Sequence, residues 1–423
     1  MSLKKKYVDI SDVRFGDRTY VEEHVLYINK NDLLTLCNDK IFKSVDIEIA
    51  RPGEDCRITS VGDTIEPMVK LDDEDATFPG LLGTMKQAGT GESLCLRGLV
   101  VTETYETMKI NGLFIDMSGP MAEYTPFSQK IHVVLVAVPT EGADVLTYVK
   151  TLRLASLKLA KYLAKAAEKC IPDDVVEYNL LHEDLVDVHG VHLPRIVYVM
   201  FNCNLELLQS SRTYGSDAMF TFPTLMNPNE ILDGAIINMN HDQIINSTPT
   251  YTYQNHPLIN ELYSRHGKDL NFVGLIVASV NFKLEDKQRN VMVAFRLAKE
   301  ELGADIILIT KESGGHPQIE CATLCDLAEN NGVQVAMIQS EFAATSLGSD
   351  EALLFNTPNA QAIVSAGCLK SLYTPEPKRI IGHCVSFAPY NKTPLDKAGN
   401  FSIWHLRGAM SQVGDYEYKS FKY

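Results

Sequence analysis

Apolar and polar positions change their period part-way along this chain. Up to residue ~128, short alternating or β-branched runs recur: Tyr7–Val13, Val25–Ile28, Ser44–Ile49, Leu99–Thr104 and Leu113–Met117. Turn pairs such as Gly16-Asp17, Pro52-Gly53, Pro79-Gly80 and Gly119-Pro120 separate them, so this region is predicted to be strand-rich. Ile131–Val138 is then an apolar strand. From Asp144 to Lys169, apolar residues at 145, 146, 149, 152, 159, 163 and 166 mark one face of a long helix, with Pro172 just past its end. Arg195–Phe201 reads as a buried strand. The stretch Met226–Thr252, rich in Asn, Asp, Thr and Pro, reads as mostly irregular and as a boundary.

From Asn271 onward strands and helices alternate. Phe272–Val280, Asp305–Thr310, Val333–Ile338 and Ala362–Ser365 are strand candidates; Glu285–Leu302 and Pro317–Asn330 are helix candidates, followed by Gly303 and Gly332. Such alternation predicts a mostly parallel sheet flanked by helices, with the first three of those strands as central neighbours. The fold class is therefore α/β, in three regions: 1–128 strand-rich, 129–240 α/β, and 241–423 a parallel α/β domain.

Composition narrows the class further. Lys and Arg total 39 against 54 Asp and Glu, a net charge of −15, which disfavours nucleic acid and anionic membrane surfaces as partners. No apolar run approaches the ~18 residues of a membrane span, and no apolar stretch follows Lys4-Lys5-Lys6 as in a signal peptide. The nine cysteines are odd in number, scattered, and form no Cys-x-x-Cys, which fits a reduced cytoplasmic protein.

Candidate chemistry is sparse. In open α/β sheets ligands bind at the carboxyl ends of strands. There the loop Lys311-Glu312-Ser313-Gly314-Gly315-His316 precedes a helix, so Gly314, Gly315 and His316 are candidate substrate-binding residues for an anion such as a carboxylate; two glycines at such a turn also occur for steric reasons alone. His182, His189 and His192 beside Glu183, Asp184 and Asp187 match no closed zinc pattern and read as a polar loop. Cys321 and Cys325 share a helix face and read as small hydrophobes, so no metal site is expected. No P-loop, Gly-x-Gly-x-x-Gly, Gly-x-Ser-x-Gly or His-Glu-x-x-His is present.

Longer stretches are more specific. Phe15-Gly16, Ala50-Arg51-Pro52-Gly53-Glu54, Ile65-Glu66-Pro67 and Phe78-Pro79-Gly80 appear in order. The run from Ile115 to Ser128, then Asp233-Gly234-Ala235-Ile236, then Tyr263 to Phe272 follow. Together they resemble the glycine/sarcosine/betaine reductase component B precursor family. The resemblance covers most of the chain and weakens after Ser340. It implies reductive C–N cleavage of a small amino acid or amine within an oligomeric reductase complex, with a selenoprotein subunit as partner. It also implies self-cleavage at an Asn–Cys bond, after which the new N-terminal residue becomes a pyruvoyl group.

The position corresponding to that bond is Asn240-His241. Imidazole carries no β-heteroatom leaving group, so His241 cannot yield pyruvoyl, and no such cofactor is expected. Asn246-Ser247, six residues on, is the alternative precursor. A glycine-rich cysteine loop of the family corresponds to Ala366-Gly367-Cys368-Leu369, here without the glycine after the cysteine. Within the Ile115–Ser128 run, Asp116, Ser118 and Glu123 are further substrate-binding candidates. Three readings stay open: a component-B-like reductase subunit, a non-catalytic paralogue that binds substrate or acts as a scaffold, and an α/β protein that keeps the fold and binds something unrelated.

Overall fold

The computed structural model describes residues 1–106, 113–180, 187–188, 191–202, 211–218, 221–239, 247–312, 317–339, 357–366, 371–383, 393–409, 411 and 413. Among the described residues the amino-terminal part holds two larger sheets and a small three-stranded one of 12–15, 25–28 and 20–22. One has the order 174–179, 2–9, 91–97, 68–70. In the other, Cys56–Ile65 (β1) lies between Leu113–Asp116 and Leu99–Tyr105 (β2), followed by Ile131–Pro139 and Phe42–Ala50; Arg379–Ile381 adds to β1 in parallel. Helix Val145–Lys165 (α1) starts where Asp144 accepts a hydrogen bond from the Thr147 amide. Its apolar stripe buries Val149, Leu152, Leu159 and Leu163 in the core shared by these sheets, as the 3.6-residue period predicts.

The carboxyl-terminal part is built on Arg195–Asn202 (β3), Asn271–Ser279 (β4), Leu284–Arg296 (α2), Ile306–Lys311 (β5), Gln318–Glu329 (α3), Gln334–Gln339 (β6) and Ala362–Ser365 (β7). The strands are parallel in the order β4-β3-β5-β6-β7, with Thr224–Met226 antiparallel on the outer edge of β4. Apolar side chains cover both faces, which explains the near-continuous hydrophobic runs.

Two expectations need correction. β4 and β5 are not neighbours: β3 lies between them, because the chain steps to one side for β4 and crosses back over β3 to reach β5. That reversal makes a topological switch point between β3 and β5. The polar stretch Met226–Thr252 is also more ordered than its composition suggests. It contains helix Pro228–Leu232, with a full capping box from Asn227 and Glu230, and helix Thr250–Gln254. Several of its described polar side chains are buried because they bond distant segments: Asp233, for example, accepts from Lys70 at 2.9 Å and from Ser93.

Two fully buried histidines serve as neutral hydrogen-bonding struts. His132 accepts from Thr102 Oγ1 through Nδ1 and donates from Nε2 to the Phe127 carbonyl, both at 2.8 Å. His256 accepts from the Ile259 amide through Nδ1 and faces Tyr198 Oη with Nε2 at 3.2 Å. Burial lowers their pKa values to about 4 and about 3. Unfolded histidine titrates near 6.5, so the stability these groups provide is present above that pH and is lost as pH falls toward 4. The expected loss is roughly 3 kcal/mol for each by pH 4. Urea unfolding from pH 7 to pH 4 checks this: His132→Gln should show a shallower loss of stability than the parent chain.

Candidate functional site

Four charged side chains with no solvent exposure meet where the amino-terminal sheet approaches the carboxyl-terminal part: Asp63 on β1, Glu103 on β2, Arg153 on α1, and Arg407. Arg153 donates to Glu103 Oε1 at 2.9 and 2.7 Å and stands 3.4 Å from Asp63 Oδ2. Arg407 donates to Asp63 Oδ1 at 3.0 Å. Two acids balance two bases, so the cluster is neutral where water cannot screen it. Burial pushes Glu103 up despite Arg153. It also holds Arg407 below its ordinary value against the pull of Asp63.

This cluster grips a strap of backbone. The Thr250 amide and hydroxyl donate to Asp63 at 3.0 and 2.5 Å, and Arg407 donates to the Ser247 carbonyl at 3.1 Å. Asn238, before the gap in the described residues, donates through its amide side chain to Ser247 Oγ and through its backbone to Thr250 Oγ1, both at 3.1 Å. Both flanks of residues 240–246 are therefore tied together and to Asp63.

The same strap reaches the carboxyl edge of the parallel sheet. Glu312, immediately after β5, accepts from the Thr248 amide at 3.0 Å and from Tyr253 Oη at 2.5 Å. Its own amide donates to the Phe201 carbonyl on β3 at 2.9 Å, which seats it at the switch point. Asn202, the last residue of β3, is fully buried, and neither atom of its side-chain amide has a hydrogen-bond partner among the described residues. A buried unpaired polar group costs about 1–3 kcal/mol, so such a residue calls for a reason.

Comparison with known proteins identifies the family. Residues 1–393 match the family described as glycine/sarcosine/betaine reductase component B subunits. The glycine reductase complex component B subunits alpha and beta of Acetoanaerobium sticklandii are 36% identical over 431 residues, covering 98% of each chain. The sarcosine reductase complex component B subunit alpha of Peptoclostridium acidaminophilum is 38% identical, over 87% of this chain and 86% of that one. The betaine counterpart from the same organism is 32% identical, over 88% and 85%. The chain belongs to the component B family. No solved structure matches it.

For this component B chain, Asn240, His241, Gly314, Gly315 and His316 lie outside the described residues, as do His182, His189 and the loop at 367–370. Their flanks meet: Thr248, just beyond the first segment, bonds Glu312, just before the second. Ser247 is buried, and Asn238 is its hydroxyl's hydrogen-bond partner; no carboxylate or imidazole among the described residues is hydrogen-bonded to that hydroxyl.

Asp116 and Ser118 sit elsewhere. They line a cleft of about 180 Å³ with Asp55, Arg57, Gly119 and Pro375. Asp116 is buried and accepts from Arg57 at 2.6 and 3.2 Å. Burial raises its carboxyl against that pull. Arg57 also donates to the Leu395 carbonyl and to Thr374, and lies over both the Phe114 and Phe401 rings, which pack edge to face. Its donors are thus used to latch Thr374, Pro375 and Leu395 onto β1. Glu123 is exposed.

Cys321 and Cys325 are buried on α3 against the sheet, their thiols pushed up to about 12 by burial. His192 is exposed. Among the described residues no group of three or more His, Cys, Asp or Glu could hold a metal.

Sequence reasoning missed Asp63, Arg407 and Asn202. Only Asn202 left a local trace, an amide ending an otherwise apolar parallel strand. Asp63→Asn is expected to destabilise the fold by about 3–5 kcal/mol, because two buried arginines would then face one carboxylate. Arg407→Met should cost less but expose the chain around Thr248 to native-state proteolysis. Urea denaturation and limited proteolysis check the two outcomes.

Proposed function

We propose that this chain is a component-B-like subunit that binds a small amino acid or amine for reductive C–N cleavage while remaining a single polypeptide. The observation that carries the reading is the residue at 241. A side chain that is to become a pyruvoyl group needs a sulfur or oxygen on its β-carbon, to take the acyl group and then leave. Histidine offers only a carbon-linked imidazole, so the residue present does not fit that group and no step here passes through it.

The rest of the strap supports the same reading. Asn238, Ser247, Thr248 and Thr250 are held by Asp63, Arg407 and Glu312, contacts that join the two halves of the chain. Ser247 is a poor substitute nucleophile. Its hydroxyl oxygen already accepts the Asn238 amide N–H, and no carboxylate or imidazole among the described residues is hydrogen-bonded to the hydroxyl to take its proton.

The complex membership of the relatives supports a reductase-complex partner, and we infer that this partner includes a selenoprotein subunit that attacks the substrate carbon. A cytoplasmic location fits the free cysteines at 37, 56, 95, 170, 321 and 325. Among the described residues no helix is long and apolar enough to cross a membrane.

Intact-mass measurement after borohydride treatment tests the proposal. One unreduced species near 47.1 kDa is expected. Fragments of about 240 and about 180 residues, with reduction at a new N-terminal carbonyl, would overturn it.

A further inference from the structure

The switch point carries an unused hydrogen-bonding group. Along β3, Ile196, Tyr198 and Met200 face one side of the sheet and Val197, Val199 and Phe201 the other. Strand alternation puts Asn202 on the first side. On β5 that side carries Thr310, which bonds Tyr198 Oη at 2.6 Å, and then Glu312. On β4 the residue in register with Asn202 is Ser279.

Three adjacent strand ends therefore present Ser279, Asn202 and Glu312 in a row. Ser279 is bonded to the Ala218 carbonyl, and Glu312 to Thr248 and Tyr253. Tyr253 Oη and Ser211 Oγ, 3.5 Å apart, join the segments covering the two ends of the row. Asn202, in the middle, has a side-chain donor and acceptor side by side and no exposure, yet its amide has no partner among the described residues.

We propose that Asn202 anchors a small zwitterionic ligand that keeps at least one N–H. Its Nδ2 donates to the ligand carboxylate, and its Oδ1 accepts from the ammonium. Glu312, which already accepts two hydrogen bonds at one oxygen, is the neighbouring negative charge. This rests on the amino-acid reading above and narrows it. A fully methylated ammonium has no N–H, so it would leave Oδ1 buried and unpaired, whereas primary, secondary and tertiary ammonium groups satisfy it.

Calorimetric titration of the full chain tests this with glycine, N-methylglycine, N,N-dimethylglycine and N,N,N-trimethylglycine at one pH. The expected result is a step of about tenfold or more in affinity between the third and fourth members. Asn202→Leu and Asn202→Ala should each weaken the three N–H-bearing members by a similar factor. Asn202→Leu should also raise Tm, because an unpaired amide leaves the interior. Equal affinity for the trimethylated member, or undiminished binding in both variants, would overturn the role of Asn202 and leave the amino-acid reading standing. No binding of any member by the unaltered chain would overturn both.

Discussion

Asp63 is the constraint on which the rest of the structure depends. A carboxylate with no solvent exposure in the middle of a buried strand is tolerable only if its charge is balanced and its oxygens are bonded. Arg153 and Arg407 supply the charge, and Thr250 and Arg407 supply the hydrogen bonds. These partners come from the amino-terminal helix, the strap after residue 246 and the carboxyl-terminal segment. Satisfying one side chain therefore fixes the relative position of three distant parts of the chain.

The consequence for function is positional. Through Thr248 and Tyr253 the strap reaches Glu312, and through Glu312 it reaches the crevice where the strand order reverses. The parallel sheet provides that crevice by geometry alone, whatever chemistry occupies it. What distinguishes this chain is the set of polar groups delivered there. Arg57 shows the contrast: it too is buried beside a carboxylate, but its donors are consumed in latching the carboxyl-terminal segment, so among the described residues its cleft has no spare cation.

Legibility in the sequence followed the range of the interactions. Strand Ala362–Ser365 and helices α1 and α3 could be read from local period and caps, because the forces that place them act within a few residues. The insertion of β3 between β4 and β5 left no local signature, since both faces of every central strand are equally apolar. Met226–Thr252 misled for the opposite reason. Its polar residues resemble those of a loop, but they are buried by partners such as Lys70 and Asp63 that lie far off in sequence. Asp63 and Arg407 are 344 residues apart, and nothing near either predicts the other. The family resemblance located the strap; only the fold shows what holds it.

Native-state hydrogen exchange at the Thr248 and Thr250 amides tests the clamp most directly. One donates to Glu312 and the other to Asp63, so both report on whether the strap opens independently of the fold. Protection of both amides at the free energy of global unfolding is expected. Exchange of either through a local opening far below that free energy would show that the buried cluster does not hold the strap, and would contradict its central place in this structure.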